Sequence, residues 1–260
     1  MIGLEKRLEI GGAALPLAGQ AIAPDLLPDE TILELSAVGR GIYHVLSEAR
    51  PEGKARFFLG YRGGELAPVL SGYVSDARVA RPLVEPGDTG SARALWRVVV
   101  REPAGLLDTR ADFHLRHVTA REVLAEIERI TGLVFLTPAA GEYLERDTPH
   151  FAAEGTCRAA LAALGRAFAA PRCVWATLPD GRIFWGDWAA GPFPGVADDA
   201  VAIDPALVIE RDPEARRVCL TPMPLLRPGA VVTVDGESFM AARVAFRQSK
   251  MDVSWREVSE

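Results

Sequence analysis

The chain has 260 residues, 49% of them hydrophobic and 25% charged, with a formal net charge of -6. That balance belongs to a folded globular protein and excludes intrinsic disorder. It also excludes a surface built to grip nucleic acid, because no run of Lys or Arg is present to displace phosphate counterions.

Lysine occurs only at 6, 54 and 250, while arginine is abundant in an Ala- and Gly-rich background. That usage reflects a GC-rich genome rather than guanidinium chemistry. The cysteines are Cys157, Cys173 and Cys219, an odd number without CxxC spacing. They predict buried free thiols in a reducing compartment, not a disulfide framework or a zinc site. The opening MIGLEKRLEIGG lacks the apolar core of a signal peptide, and no stretch approaches the ~20 apolar residues that span a bilayer. The expectation is synthesis and folding in the cytoplasm, with no membrane insertion.

The first hundred residues read as β-structure. TILELSAV (31–38) sets Leu33, Leu35 and Ala37 at the period of a half-buried strand. In 55–79, Arg62-Gly63-Gly64 separates two strand-like runs as a hairpin turn. The segment 81–92, rich in Pro and Gly, reads as a loop, and LWRVVVRE (95–102) as a further strand.

At residue 118 the period changes. Thr119 followed by Glu122 is a capping box, after which Val123, Ile127 and Ile130 share a helix face with Leu124 beside them, and Gly132 stops the helix. LVFLTP (133–138) reads as a short buried strand. A second helix is predicted over 156–171, capped by Thr156, with Leu161, Leu164 and Phe168 on one face and Pro171 at its end. Residues 191–199 read as a linker. Strands at 230–234, 238–247 and 251–258, with turns at Asp235-Gly236 and at Gln248-Ser249-Lys250, complete the chain.

Candidate chemistry is sparse. His114 and His117 in FHLRH are spaced i, i+3, with Asp108 or Asp112 as a third zinc ligand, but they precede the helix cap and have no rigid frame. His44 and His150 stand alone. Asp198 and Asp199 are adjacent carboxylates in a Pro/Gly segment, the pattern of solvated charge rather than of an acid–base pair. No G-x-S-x-G elbow, P-loop or GxGxxG fingerprint occurs. On this reading the chain is not an enzyme, and no catalytic, cofactor-binding or metal-binding residue is assigned.

The remaining feature is CVWATLPDGRIFWGDW (173–188), which holds three of the five tryptophans around a Pro179-Asp180-Gly181 turn. Strand alternation puts Trp175 with Thr177 on one face, and Ile183 with Trp185 on one face of the return strand. Trp175 and Trp185 then pair across the hairpin and cover Leu161, Leu164 and Phe168. Two other readings stand beside this core reading. One is a sugar-stacking platform, which lacks amide partners because the chain contains no Asn. The other is a protein interface.

The order of these parts resembles a known family. The capped helix VTAREVLAEIERITGLVF, the helix GTCRAALAALGRAF, the hairpin VWATLPDGRIFWG and the β-module entered by PMPLLRPGAVVTV are similar to the baseplate hub proteins of phage tails. That family includes the T4-type hub, the late control protein D and the Mu-like tail protein, with related modules in type VI secretion spikes. The resemblance covers most of 110–258. It implies an α+β fold in which two small tail-tube-like β-barrel domains, 1–110 and 196–260, flank an α/β insert at 111–195 with two helices and the Trp-rich hairpin.

The resemblance further implies a structural hub in the virion tail baseplate, made in the host cytoplasm and assembled as a homotrimeric ring. Its partners would be the tail tube or distal tail protein, the central spike and the tape-measure protein. DNA would only pass through the lumen. Trp188, just beyond the hairpin, is the candidate subunit contact. The alternatives from other classes are a carbohydrate-binding tail module and a cell-wall hydrolase.

Overall fold

Residues 4–15, 17, 25–26, 30–39, 54–83, 93–196, 199–247 and 250–257 are described by the computed structural model. His44, residues 84–92 of the expected loop, Asp198 and the Gln248-Ser249 turn lie outside the described residues. The fold is mostly β, with two large curled sheets and few helices.

The N-terminal sheet is antiparallel throughout. It comprises β1 (Leu4–Ile10), β2 (Ala13–Leu15), β4 (Ile32–Gly39), β5 (Lys54–Tyr61), β6 (Ala67–Leu83) and β7 (Arg93–Arg101), in the order β2-β1-β5-β6-β7-β4. Alternation decides which side is buried: Leu33 and Leu35 are 1% exposed, whereas Ile32, the first residue of β4, is 56% exposed. β6 extends to Leu83, so the start of the expected loop is strand. Bulges between Val74 and Asp76 and between Val79 and Arg81 let this long strand bend instead of running flat.

The C-terminal sheet has seven strands. β13 (Val201–Ala202), β14 (Val208–Asp212), β15 (Arg217–Leu220), β16 (Val231–Val234), β17 (Glu237–Phe246) and β18 (Met251–Arg256) follow the order β13-β16-β17-β18-β15-β14. The seventh strand, β3 (Asp25–Leu26), comes from the N-terminal region and pairs with β17 through Leu26 and Val244. The two sheets share one apolar cluster, in which Leu8, Phe57 and Val98 join Val218, Val244 and Val253. The two β-rich segments, remote in sequence, therefore bury their inner faces together.

Between them lie β8 (Phe113–Val118), α1 (Ala120–Thr131), β9 (Phe135–Leu136), α2 (Glu142–Glu145), β10 (Thr148–Ala153), α3 (Cys157–Ala167), β11 (Cys173–Thr177) and β12 (Ile183–Asp187). The Thr119 side chain accepts from the Glu122 amide and the Glu122 carboxylate accepts from the Thr119 amide, while Gly132 closes α1 at φ 71°. Val123 and Ile127 are fully buried. A separate cluster gathers them with Leu161, Leu164, Phe168 and Trp185.

Several boundaries differ from the sequence reading. α3 stops at Ala167, short of Pro171, and the chain leaves the helix through Ala169 at φ 51°. The strand expected over 133–138 contracts to Phe135–Leu136, held parallel against β12. The FHLRH segment is β8, paired with β10, and not a frameless lead-in to the helix. Residues 191–196 of the expected linker are packed: Phe193 is 8% exposed, and the Val231 amide donates to the Pro194 carbonyl at 2.8 Å.

Candidate functional site

The tryptophan hairpin is a wall shared by two apolar clusters. β11 and β12 pair with Trp175 opposite Trp185 and Ala176 opposite Phe184. Odd-numbered side chains, including Cys173, Trp175, Ile183 and Trp185, pack with the middle cluster around α1 and α3. Even-numbered ones, Val174, Ala176 and Phe184, face a small cluster with Trp188, Phe193, Val231 and Met240. A two-residue period thus joins the middle unit to the C-terminal sheet through one hairpin.

Polar contacts fix the hairpin. Trp185 is fully buried, with the Tyr143 ring edge-on at 5.9 Å, and the Tyr143 hydroxyl accepts from the Asp187 amide at 2.9 Å. The Trp188 indole N–H donates to the Gly229 carbonyl at 3.1 Å. Trp188 is only 7% exposed, and most of its indole packs inside the chain beside Phe184 and Phe193. Trp96 is likewise 7% exposed, and Trp255 stacks on Phe239 at 4.7 Å. These tryptophans do not form an open sugar-stacking platform.

On the other side of the hairpin an ionic ring ties the middle unit to the N-terminal sheet. Arg101 binds Glu30 at 2.7 and 3.0 Å and Asp108 at 2.8 Å. Arg158 of α3 binds Glu30 at 2.7 Å and Asp108 at 2.8 Å, and lies over the Trp175 ring at 5.3 Å. Burial opposes ionisation of Asp108, but its bonds to Arg158 and Arg101 hold its carboxyl below the usual range.

A cleft of about 250 Å³ opens where the two sheets, the hairpin tip and the 192–194 segment converge. Its wall carries Glu102, whose carboxylate accepts from the Thr31 amide at 2.6 Å, and Arg227, which donates to the Pro68 carbonyl at 2.6 Å. Burial pushes Glu102 up to about 8, against the pull of the Thr31 bonds and of Arg227. Burial also pushes Arg227 down to about 10. For both groups desolvation outweighs their mutual attraction.

The sequence-predicted ligands are not brought together. His114 and His117 are both exposed on β8, and His117 contacts Asp147 at 3.4 Å. On a strand, positions three apart point to opposite faces. No group of three or more His, Cys, Asp or Glu suited to a metal occurs among the described residues. Cys173 packs against Gly165, and burial pushes its thiol up to about 11, away from nucleophilic reactivity. Sequence reasoning missed Glu30, Arg101, Arg158, Glu102 and Arg227, and it offered Asp108 as a zinc ligand where the structure bonds it to Arg101 and Arg158, since no local spacing signals a ring closed by tertiary contacts.

Solved structures align with this chain over nearly its whole length. The 43 kDa tail protein of prophage MuSo2 from Shewanella oneidensis aligns over 98% of both chains, with a TM-score of 0.64 at 12% identity. The chain has a phage tail-protein fold. The tail protein of Neisseria meningitidis MC58 aligns over 99% of this chain and 97% of its own, with a TM-score of 0.59 at 12% identity. An E. coli component of the type VI secretion system, described as structurally similar to T4 bacteriophage tail proteins, aligns over 97% of this chain and 77% of its own. Its TM-score is 0.64 at 13% identity. No protein-family model and no curated protein sequence matches the chain. The tail-protein fold accordingly rests on shape and not on sequence.

Proposed function

We propose that this protein is a structural baseplate hub of a phage or phage-like tail. The observation that carries the reading is likeness in fold to tail proteins over nearly the whole of both chains. In this reading 1–110 and 196–260 act as the two tube-like modules and 111–195 as the insert. Three copies then close a ring that presents six modules to a sixfold tail tube and a threefold face to the spike. Tube or distal tail protein, spike and tape-measure protein are its partners, and it resides in the virion tail. Its role is assembly, not catalysis.

Physical features support the ring. β14 is an edge strand of its sheet and exposes Ile209 at 56%, an apolar position that lies ready for a neighbour. The net charge of -6 suits a ring that duplex DNA must traverse without adhering. No described helix is long and apolar enough to cross a membrane.

Electron microscopy of the assembled tail tests the proposal. A threefold ring with an axial channel wide enough for duplex DNA is expected. A single copy, or a twofold dimer with no channel, removes the hub reading.

A further inference from the structure

One surface of the hairpin has no role in the fold. β11 is the end strand of its sheet, in the order β11-β12-β9. The Trp188 amide donates to Arg172 and the Leu178 amide to Arg182, so the bonded pairs of this ladder fall at even positions of β11. The amides and carbonyls of Cys173 and Trp175 therefore point away from β12. Neither residue's backbone has a hydrogen-bond partner among the described residues.

That open edge borders a slot of about 240 Å³, whose other walls include Trp188, Phe193, Met240, Ala241 and Arg256. Arg256 is exposed and has no ion pair among the described residues, in a chain where most described arginines are paired with a carboxylate. The volume falls below the range of about 300–1,000 Å³ typical of small-molecule sites. Unpaired backbone groups at a two-residue repeat, an apolar floor and one free cation are what an added strand requires.

We propose that β11 is a docking edge for an extended segment of a partner protein, one that carries apolar residues and one acidic residue at every second position, so that all of them fall on the face turned to the slot. The segment lies antiparallel or parallel to β11 and exchanges backbone hydrogen bonds with Cys173 and Trp175. Its apolar side chains enter the slot and its carboxylate meets Arg256. The charge selects against a second copy of this chain docking edge to edge, since two Arg256 side chains would then be brought towards each other. This inference is independent of the hub reading, which concerns how copies close a ring.

The test uses the full chain and a pool of capped nonapeptides of alternating Thr and Val with one central Glu. Companion pools carry Lys in place of Glu, or N-methyl groups along one backbone edge. Hydrogen exchange at the Cys173 and Trp175 amides is expected to slow roughly ten-fold with the Glu pool, and not with the N-methylated pool. Arg256→Glu, an exposed position that leaves the core intact, is expected to invert the preference towards the Lys pool. Unchanged exchange with every pool, or equal binding of Glu and Lys pools to the parent, overturns the proposal. Protection of both amides without peptide, together with self-association in sedimentation, also overturns it by making a second copy the occupant.

Discussion

Glu30, just ahead of β4, and Arg158, in α3, stand 128 positions apart and share a 2.7 Å ion pair. The Glu30 side chain is 10% exposed and also binds Arg101, while Asp108 binds both arginines in turn. Four side chains from the N-terminal sheet, the turn after it and the middle unit thereby close a ring. Such a ring orients the middle unit against the β-body, because each guanidinium holds two carboxylates in fixed directions.

Replacing Glu30 with Ala leaves two half-buried guanidinium groups short of an acceptor. Destabilisation by about 1–3 kcal/mol is expected in urea unfolding. Arg158→Lys is expected to recover only part of the ring, because ammonium lacks the planar fork. A Glu30/Arg158 double-mutant cycle with coupling near zero would remove the ring from the account of stability.

Ile127→Asp places an unpaired carboxylate at a position with no exposure. The cost is several kcal/mol, and the middle unit is expected to unfold. Loss of the near-ultraviolet dichroism of the hairpin tryptophans reports it; a parental melting profile would contradict the packing of α1.

Glu102 makes stability fall with rising pH. Its carboxyl titrates near 8 in the folded chain, above the ordinary value of 4.5, because it is buried. Between those values the folded state holds a proton that the unfolded state has lost, so unfolding releases it and stability declines as pH rises, levelling off above about 8. Glu102→Gln keeps the shape and removes the ionisation. The urea midpoint of this variant relative to the parent is expected to improve from pH 5 to pH 9; a pH-independent difference would rule out the coupling.

Gly229→Ala tests the contact between the hairpin and the C-terminal sheet. Gly229 has φ +90°, and an added Cβ would lie 2.6 Å from the Phe193 ring. Strain of about 1–3 kcal/mol is expected from the backbone, and more from displacing Phe193. Trp188→Phe removes the N–H donor to Gly229 and also leaves a cavity where the larger indole packed, and is expected to cost about 2–4 kcal/mol. If both variants melt like the parent, the junction is looser than its geometry.

Local physics was legible in the sequence, and non-local contact was not. Thr119 and Glu122 announce their helix because the capping box needs only residues three apart, and the alternation of Leu33, Leu35 and Ala37 announces a strand for the same reason. The pairing of Trp175 with Trp185 follows from a short turn and a two-residue period. By contrast, β10 is invisible until β8 lies beside it, and β3 has meaning only as the two residues that pair with β17. The helix ends at Ala167, ahead of Pro171, where the backbone turns into positive φ at Ala169, a conformation that no residue type at 168–170 announces. The sequence by itself determined the periodicities, the caps and the lack of any Lys/Arg run, all properties of neighbours along the chain. Tertiary structure alone decided that the two β-regions share one core, that Trp188 turns inward to Gly229, and that Glu30 meets Arg158. Those outcomes depend on burial and on partners many tens of residues away, and no local pattern encodes them.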